Sequence, residues 1–144
     1  SDVCSSDLAP QFNTVHGVAI SEDRLVYVAD RGHNRVQAFK PDGTFVKEAY
    51  VGRRDTAGTG SAYGVALSRD PKQLFIYVAD GSDDHIAILD RQSLETIGSI
   101  GRPGRKAGEF FHAHSIATDP KGNILVGESQ GYRVQKFLYK GMTK

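Results

Sequence analysis

His16-Gly17-Val18-Ala19-Ile20, then Leu25-Val26-Tyr27-Val28-Ala29-Asp30, then Asn34-Arg35-Val36-Gln37-Ala38-Phe39: this phrase decides the fold, because the chain repeats it. The second copy runs Tyr63-Gly64-Val65-Ala66-Leu67, Leu74 to Asp80 and His85-Ile86-Ala87-Ile88-Leu89. The third runs His114-Ser115-Ile116-Ala117-Thr118, Ile124-Leu125-Val126-Gly127-Glu128 and Tyr132 to Phe137. The spacings from His16 to Tyr63 and from Tyr63 to His114 are 47 and 51 residues. A period in this range, built from short strands, is the mark of a β-propeller blade.

Working outward, turn residues divide each copy into strands. In the first, Gly17 to Ile20, Leu25 to Ala29, Arg35 to Phe39 and Thr44 to Val51 read as strands, with turns at Ser21-Glu22-Asp23 and Pro41-Asp42-Gly43. Pro41 presets its dihedral and Gly43 permits the reversal. The second copy turns at Ser68 to Pro71 and Asp90 to Ser93, and the third at Asp119 to Asn123. The expectation is an all-β chain of about three four-stranded antiparallel blades spanning 12–52, 60–101 and 108–141 within a propeller segment 9–144. Gly-rich links at 52–60 and 101–108 join the blades, and Arg102, Arg105 and Lys106 read as a solvated loop.

No outer strand is visible after Phe137 in the third copy. Three blades do not close a ring and would present two open sheet faces. The chain thus reads as half of a six-bladed propeller, its partners being the remaining blades of a longer chain or a second copy. Residues 1–8, Cys4 among them, match no position of the repeat and are set aside as a non-native or disordered leader.

The formal net charge of +1 argues against a nucleic-acid partner. No apolar run reaches the roughly 18 residues needed to span a membrane. The compartment stays open: a signal upstream would direct the protein to the periplasm or outside the cell.

Each second strand ends in an acid, and five residues later a cationic or His residue opens the third strand: Asp30 with Arg35, Asp80 with His85, Glu128 with Arg133. Across a tight hairpin such a carboxylate can accept turn N–H groups and pair with the cation, a structural role. The run Val28-Ala29-Asp30-Arg31-Gly32-His33-Asn34-Arg35-Val36-Gln37-Ala38-Phe39 closely resembles the NHL repeat, and the likeness extends from Phe12 to Gly141. NHL domains are typically six-bladed propellers that serve as enzymes, RNA readers or protein-binding platforms. An RNA reader would want a basic face with aromatic platforms, which the balanced charge does not offer.

Val15-His16-Gly17-Val18-Ala19 followed by Val28-Ala29-Asp30-Arg31, and Ala113-His114-Ser115-Ile116-Ala117 followed by Gly122 to Glu128, also resemble segments of the peptidyl-α-hydroxyglycine α-amidating lyase family. That resemblance implies a catalytic zinc on the propeller axis, with His16 and His114 as two of three His ligands. It implies Arg31 as an active-site residue holding a substrate carboxylate, with a peptide or small-molecule substrate in the axial channel. The third His, a catalytic Tyr and a second Arg would lie upstream. The family carries Pro before the His, where this chain has Val15 and Ala113.

Geometry gives the same ligands independently. Innermost strands line a propeller's channel, and in a six-bladed ring alternate blades stand roughly 120° apart. His16 and His114 are on alternate blades, so a third ligand falls two blades upstream, about 95 to 100 residues before His16. Three imidazoles and an open position make a catalytic zinc site. Tyr63 faces the channel by equivalence. His112, two residues before His114, is a further channel residue or alternative ligand, and His33 reads as an exposed hairpin-tip residue. Lining of a wet channel without any metal, in a propeller that binds a protein or small ligand, is the competing reading. Calcium held by carboxylates and Asn, as in gluconolactonase-like proteins, ranks lower, because no carboxylate begins an inner strand.

Overall fold

The computed structural model describes residues 12–52 and 59–141, and all of its sheets are antiparallel. The leader with Cys4, and the middle of the first Gly-rich link, lie outside the described residues. The first sheet comprises β1 (Val15–Ile20), β2 (Val26–Asp30), β3 (Arg35–Phe39) and β4 (Phe45–Tyr50), paired in that order. The second comprises β5 (Ala62–Leu67), β6 (Phe75–Asp80), β7 (His85–Asp90) and β8 (Thr96–Ile100). The third has three strands, β9 (Ala113–Thr118), β10 (Ile124–Glu128) and β11 (Arg133–Phe137). These are propeller blades. The third lacks an outer strand among the described residues, as the sequence pattern predicts.

The blades stack through two apolar layers. Tyr27, Ala29, Val36 and Ala38 of the first face Val65, Leu67, Ile76, Val78 and Leu89 of the second. Tyr77, Ala79 and Ile86 of the second meet Phe110, Ala113, Ile124 and Val126 of the third. Alternation along each strand produces this, one side chain in two pointing into a given layer. On the free side of the first blade Val18 and Ile20 are exposed, and on the free side of the third so are Tyr132 and Val134.

The innermost strands β1, β5 and β9 pack against one another at the axis. They approach so closely that a Cβ on Gly17 would lie 3.1 Å from the Tyr63 carbonyl oxygen. One on Gly64 would lie 3.0 Å from Ile116 Cγ2. Glycine after the channel residue is therefore a packing requirement in the first two blades.

In the second link Arg102, Arg105 and Lys106 are exposed, as expected of a solvated loop, but the segment is ordered by its own contacts. Pro103 bridges to Phe110, which is fully buried between blades, and Arg105 stacks its guanidinium 4.3 Å over the Phe111 ring. The side chain of Arg102 is exposed, as expected, yet pairs with Glu109 at 3.1 Å. Burial of Phe110 anchors this segment, so its glycines serve turns within an ordered connection.

Candidate functional site: an axial histidine pair

Each inner strand is irregular at one place. Val15 pairs with Asp30 and Gly17 with Ala29, leaving His16 as the extra residue of a β-bulge. Ala62 pairs with Asp80 and Gly64 with Ala79, leaving Tyr63. Ala113 pairs with Glu128 and Ser115 with Gly127, leaving His114. A bulge frees one residue from the ladder and re-aims its side chain. The same defect in three blades turns His16, Tyr63 and His114 toward one another.

The ring centroids of His16 and His114 are 4.7 Å apart, and each lies within 5.2 Å of the Tyr63 ring. His16 Nδ1 lies 2.7 Å from the Tyr63 carbonyl oxygen. A carbonyl only accepts, so Nδ1 carries the proton and, in the neutral ring, Nε2 presents a free lone pair. Backbone carbonyls orient metal-binding imidazoles in this way. The His114 imidazole titrates below its ordinary range, first because burial disfavours the charged form and then because His16, His112 and Arg31 are near. A neutral His114 is also in the state that binds metal.

His112 stands just before β9 in the left-handed region, at φ 61°, with its N–H donated to Asp84 Oδ1 at 2.6 Å. Its ring packs against Tyr63, centroids 5.0 Å apart, and is 6.0 Å from that of His114. It lines the site beside the pair. Arg31 sits in a single 3₁₀ turn after β2, its Cζ 5.0 Å from the centroid of Tyr63. Its Nε is buried without a hydrogen-bond partner. Tyr63 itself is buried, a wall shared by all four neighbours. The five residues singled out in the sequence therefore come together in one cluster.

Away from the axis, the acids ending β2, β6 and β10 are buried. Asp30 Oδ1 accepts the Asn13 and Thr14 N–H groups, and Oδ2 accepts from Arg35 Nε at 3.0 Å and from His33 Nδ1 at 2.8 Å. The His33 side chain is exposed, as expected, and the 3₁₀ turn also folds its ring onto Asp30. Burial raises the Asp30 carboxyl, but the bonds from His33, Thr14, Asn13 and Arg35 together hold it below the ordinary range. Glu128 follows the same pattern, with Phe111 N–H, Arg133 and Gln135 outweighing burial.

Asp80 differs. Its Oδ1 accepts the Ser82 and Asp83 N–H groups at 3.1 and 2.9 Å, but Oδ2 is buried with no partner. Burial pushes its carboxyl up to about 6. Among the described residues, Asp80, Asp83 and His85 form a group whose ligand atoms lie within 4.8 Å of one another. The pattern of acid and fifth-residue partner was legible in the sequence, whereas the role of Asp83 was not.

The NHL repeat model matches residues 12–39, the run containing His16, Arg31 and the Asp30–Arg35 pair. The structure is similar to that of a streptogramin B lyase, at 19% identity and TM-score 0.69, covering 94% of this chain and 41% of that one. It is similar also to virginiamycin B lyase from Staphylococcus aureus, at 14% identity and TM-score 0.63, over 91% of this chain and 43% of the other. A third likeness, at 20% identity and TM-score 0.69, is to dihydro-heme d1 dehydrogenase NirN in complex with DHE, over 92% and 27%. These likenesses establish the β-propeller fold. The chain spans less than half the length of each of these proteins. No helix among its described residues is long and apolar enough to cross a membrane.

Proposed function

We propose that this chain supplies half of a six-bladed NHL propeller whose axis holds a catalytic zinc. His16 and His114 provide two ligands, and a third comes from a blade outside the chain. The activity is that of a lyase cleaving a peptidyl-α-hydroxyglycine into a peptide amide and glyoxylate. The observation that carries this is the bulge-aimed His16–His114 pair, 4.7 Å between centroids, with His16 oriented by a carbonyl. Two imidazoles fit a zinc of the tri-histidine type as far as they go, and the open side beyond His114 leaves room for the rest. Zinc, when bound, supplies Lewis acidity toward a substrate hydroxyl.

The chain's own residues bind and orient. Arg31, with its unsatisfied buried Nε beside Tyr63, offers a fork for the substrate carboxylate that Lys would reproduce poorly. Tyr63 and His112 wall the pocket. Loss of the hydroxyl proton to a base from outside the chain would let the C–N bond break, the electron pair leaving with the amide nitrogen, which takes up that proton to give the amide, while the carbinol oxygen becomes the aldehyde of glyoxylate. Two of the similar structures are those of lyases, which is compatible with elimination chemistry on this scaffold.

The test is zinc content of the purified full-length protein by elemental mass spectrometry, beside His16→Ala and His114→Ala. One zinc lost in both variants is expected, together with glyoxylate release that falls in Arg31→Ala while that zinc stays. Zinc indifferent to both His substitutions, or none, would favour a propeller that binds a protein or small ligand without chemistry.

A further inference from the structure

We propose that Asp84, on the hairpin of the second blade, is a positioning residue for the axial site: it holds, from the neighbouring blade, the short segment that aims His112 and His114. This rests on the axial reading above and adds a residue to it. The starting point is a repeated geometry. The residue before each third strand, Asn34, Asp84 or Tyr132, lies in the left-handed region, at φ 54°, 53° and 51°. Asparagine and aspartate tolerate this conformation and carry a short acceptor. In the first two blades that acceptor crosses to the next blade. Asn34 Oδ1 accepts the Ser61 N–H at 2.8 Å, and Asp84 Oδ1 accepts the His112 N–H at 2.6 Å. Ser61 and His112 each stand two residues before a channel residue, Tyr63 and His114. One blade's hairpin therefore fastens the entry to the next blade's inner strand.

The third blade depends on this fastening because β9 is the axial edge of its sheet, with β10 as its one ladder partner. Its first ladder pair, Ala113 with Glu128, comes directly before the bulge at His114. A bulge so near the start of an edge strand keeps its direction only while the residues ahead of it are held. Two contacts within the third blade hold them. The Phe111 N–H goes to Glu128 Oε1 at 2.7 Å, and the Ser129 N–H donates to the His112 carbonyl at 3.1 Å. Asp84 supplies the contact from outside the blade. His112 itself is left-handed at φ 61°, a sparsely populated conformation that persists where the surroundings fix it.

The same hairpin presses on the site at its other end. A Cβ on Gly81 would lie 2.8 Å from the Ala113 carbonyl oxygen and 2.9 Å from atoms of the Tyr63 ring. Gly81 lets the turn approach, and Asp84 ties it down. The place of the His114 ring, its centroid 4.7 Å from that of His16, is thus set by the second blade as well as by its own. Without the Asp84 carboxylate the His112 N–H loses its acceptor, and the bulge can fray away from the axis. Hydrogen bonds that orient a ligand from one step behind it govern metal affinity nearly as strongly as the ligand does.

The experiment is calorimetric titration of zinc chloride into the purified, metal-stripped full-length protein, the axial zinc being the one lost in His114→Ala. Asp84→Gly removes the acceptor and still permits the left-handed backbone, whereas Asp84→Asn supplies the acceptor that the first blade uses. Zinc affinity should fall about tenfold in Asp84→Gly and return to within about threefold of the parent in Asp84→Asn. Asp119→Ala is the control for general loosening. It deletes a carboxylate that accepts the Lys121 and Asn123 N–H groups after β9, so it should lower the melting temperature and leave zinc affinity unchanged. A second readout needs no metal: in chelator, the ring-nitrogen NMR resonances of His114 should move in Asp84→Gly and not in Asp119→Ala. Axial zinc bound equally well by Asp84→Gly, or no recovery in Asp84→Asn, overturns the positioning role and leaves the axial reading standing. No axial zinc in the parent overturns the axial reading instead. The His114 resonances in chelator then decide the role of Asp84, which is upheld if Asp84→Gly moves them and overturned if it does not.

Discussion

The first and second blades solve one structural problem in different ways. Both bury an acid at the end of the second strand, beside the hairpin turn. In the first, Asp30 is saturated by two backbone N–H groups, His33 and Arg35, while Arg35 continues to Glu48 at 3.1 Å, which in turn accepts Gln37. In the second, Asp80 accepts instead two N–H groups of its own turn, those of Ser82 and Asp83, and its Oδ2 has no partner. The same carboxylate is a finished structural lock in one blade and keeps an unpartnered buried oxygen in the other. A repeat can hold its fold with the backbone half of such a motif, leaving the side-chain half free to change.

The comparison is sharpest at Arg35, which is buried and serves both Asp30 and Glu48. Removing one partner of a buried ion pair leaves an uncompensated charge and costs about 3–5 kcal/mol. Arg35→Ala should lower the unfolding free energy by that order in urea denaturation. A loss below about 1 kcal/mol, the scale of an exposed pair, would mean the first blade's lock is no stronger than a surface contact. Asp30→Asn keeps an acceptor for the Asn13 and Thr14 N–H groups but sacrifices the charge-assisted bonds, for a loss of about 2 kcal/mol.

Acid provides a third way to separate the blades. Asp30 and Glu128 have folded pKa values held below their unfolded ones, burial being outweighed by hydrogen bonds. Their contribution is complete above the unfolded pKa, roughly pH 4, and disappears as pH falls through the folded values. The urea midpoint should therefore drop on acidification from pH 6 toward pH 3, and drop less steeply in Asp30→Asn. Parallel curves for the two proteins would show that Asp30 is not among the groups that take up protons on unfolding.

Much of this was legible in the repeat because a blade needs the same apolar alternation and the same turns each time. The strands lie within a residue or two of the expected ones, and His16, Tyr63 and His114 meet because equivalent positions on inner strands converge. What was hidden is non-local or local in a way composition does not encode. The bulge at each channel residue depends on pairing with the next strand. Burial of Phe110 depends on a layer formed by two blades. The return of His33 to Asp30 depends on a single 3₁₀ turn ending at Asn34 in the left-handed conformation, φ 54°. The oddity of the second blade was in plain view, as His85 where the other copies carry arginine, but its consequence required seeing that Asp80 is buried.

The smallest expected effect tests the comparison most directly. Asp80→Asn, measured in chelator at pH 7, should change stability by less than about 1 kcal/mol, the range of substitutions that break no network. An asparagine oxygen can still accept the Ser82 and Asp83 N–H groups, and the buried charge it removes is answered by no guanidinium among the described residues. Asp30→Asn, chemically the same change at the equivalent position fifty residues earlier, should cost more, because it discards bonds that Asp80 never had. Equal losses at the two positions would mean that Asp80 is paired in solution and that the two blades are built alike. A loss confined to Asp30 assigns the difference between the blades to the missing guanidinium, since the backbone bonds survive in both variants.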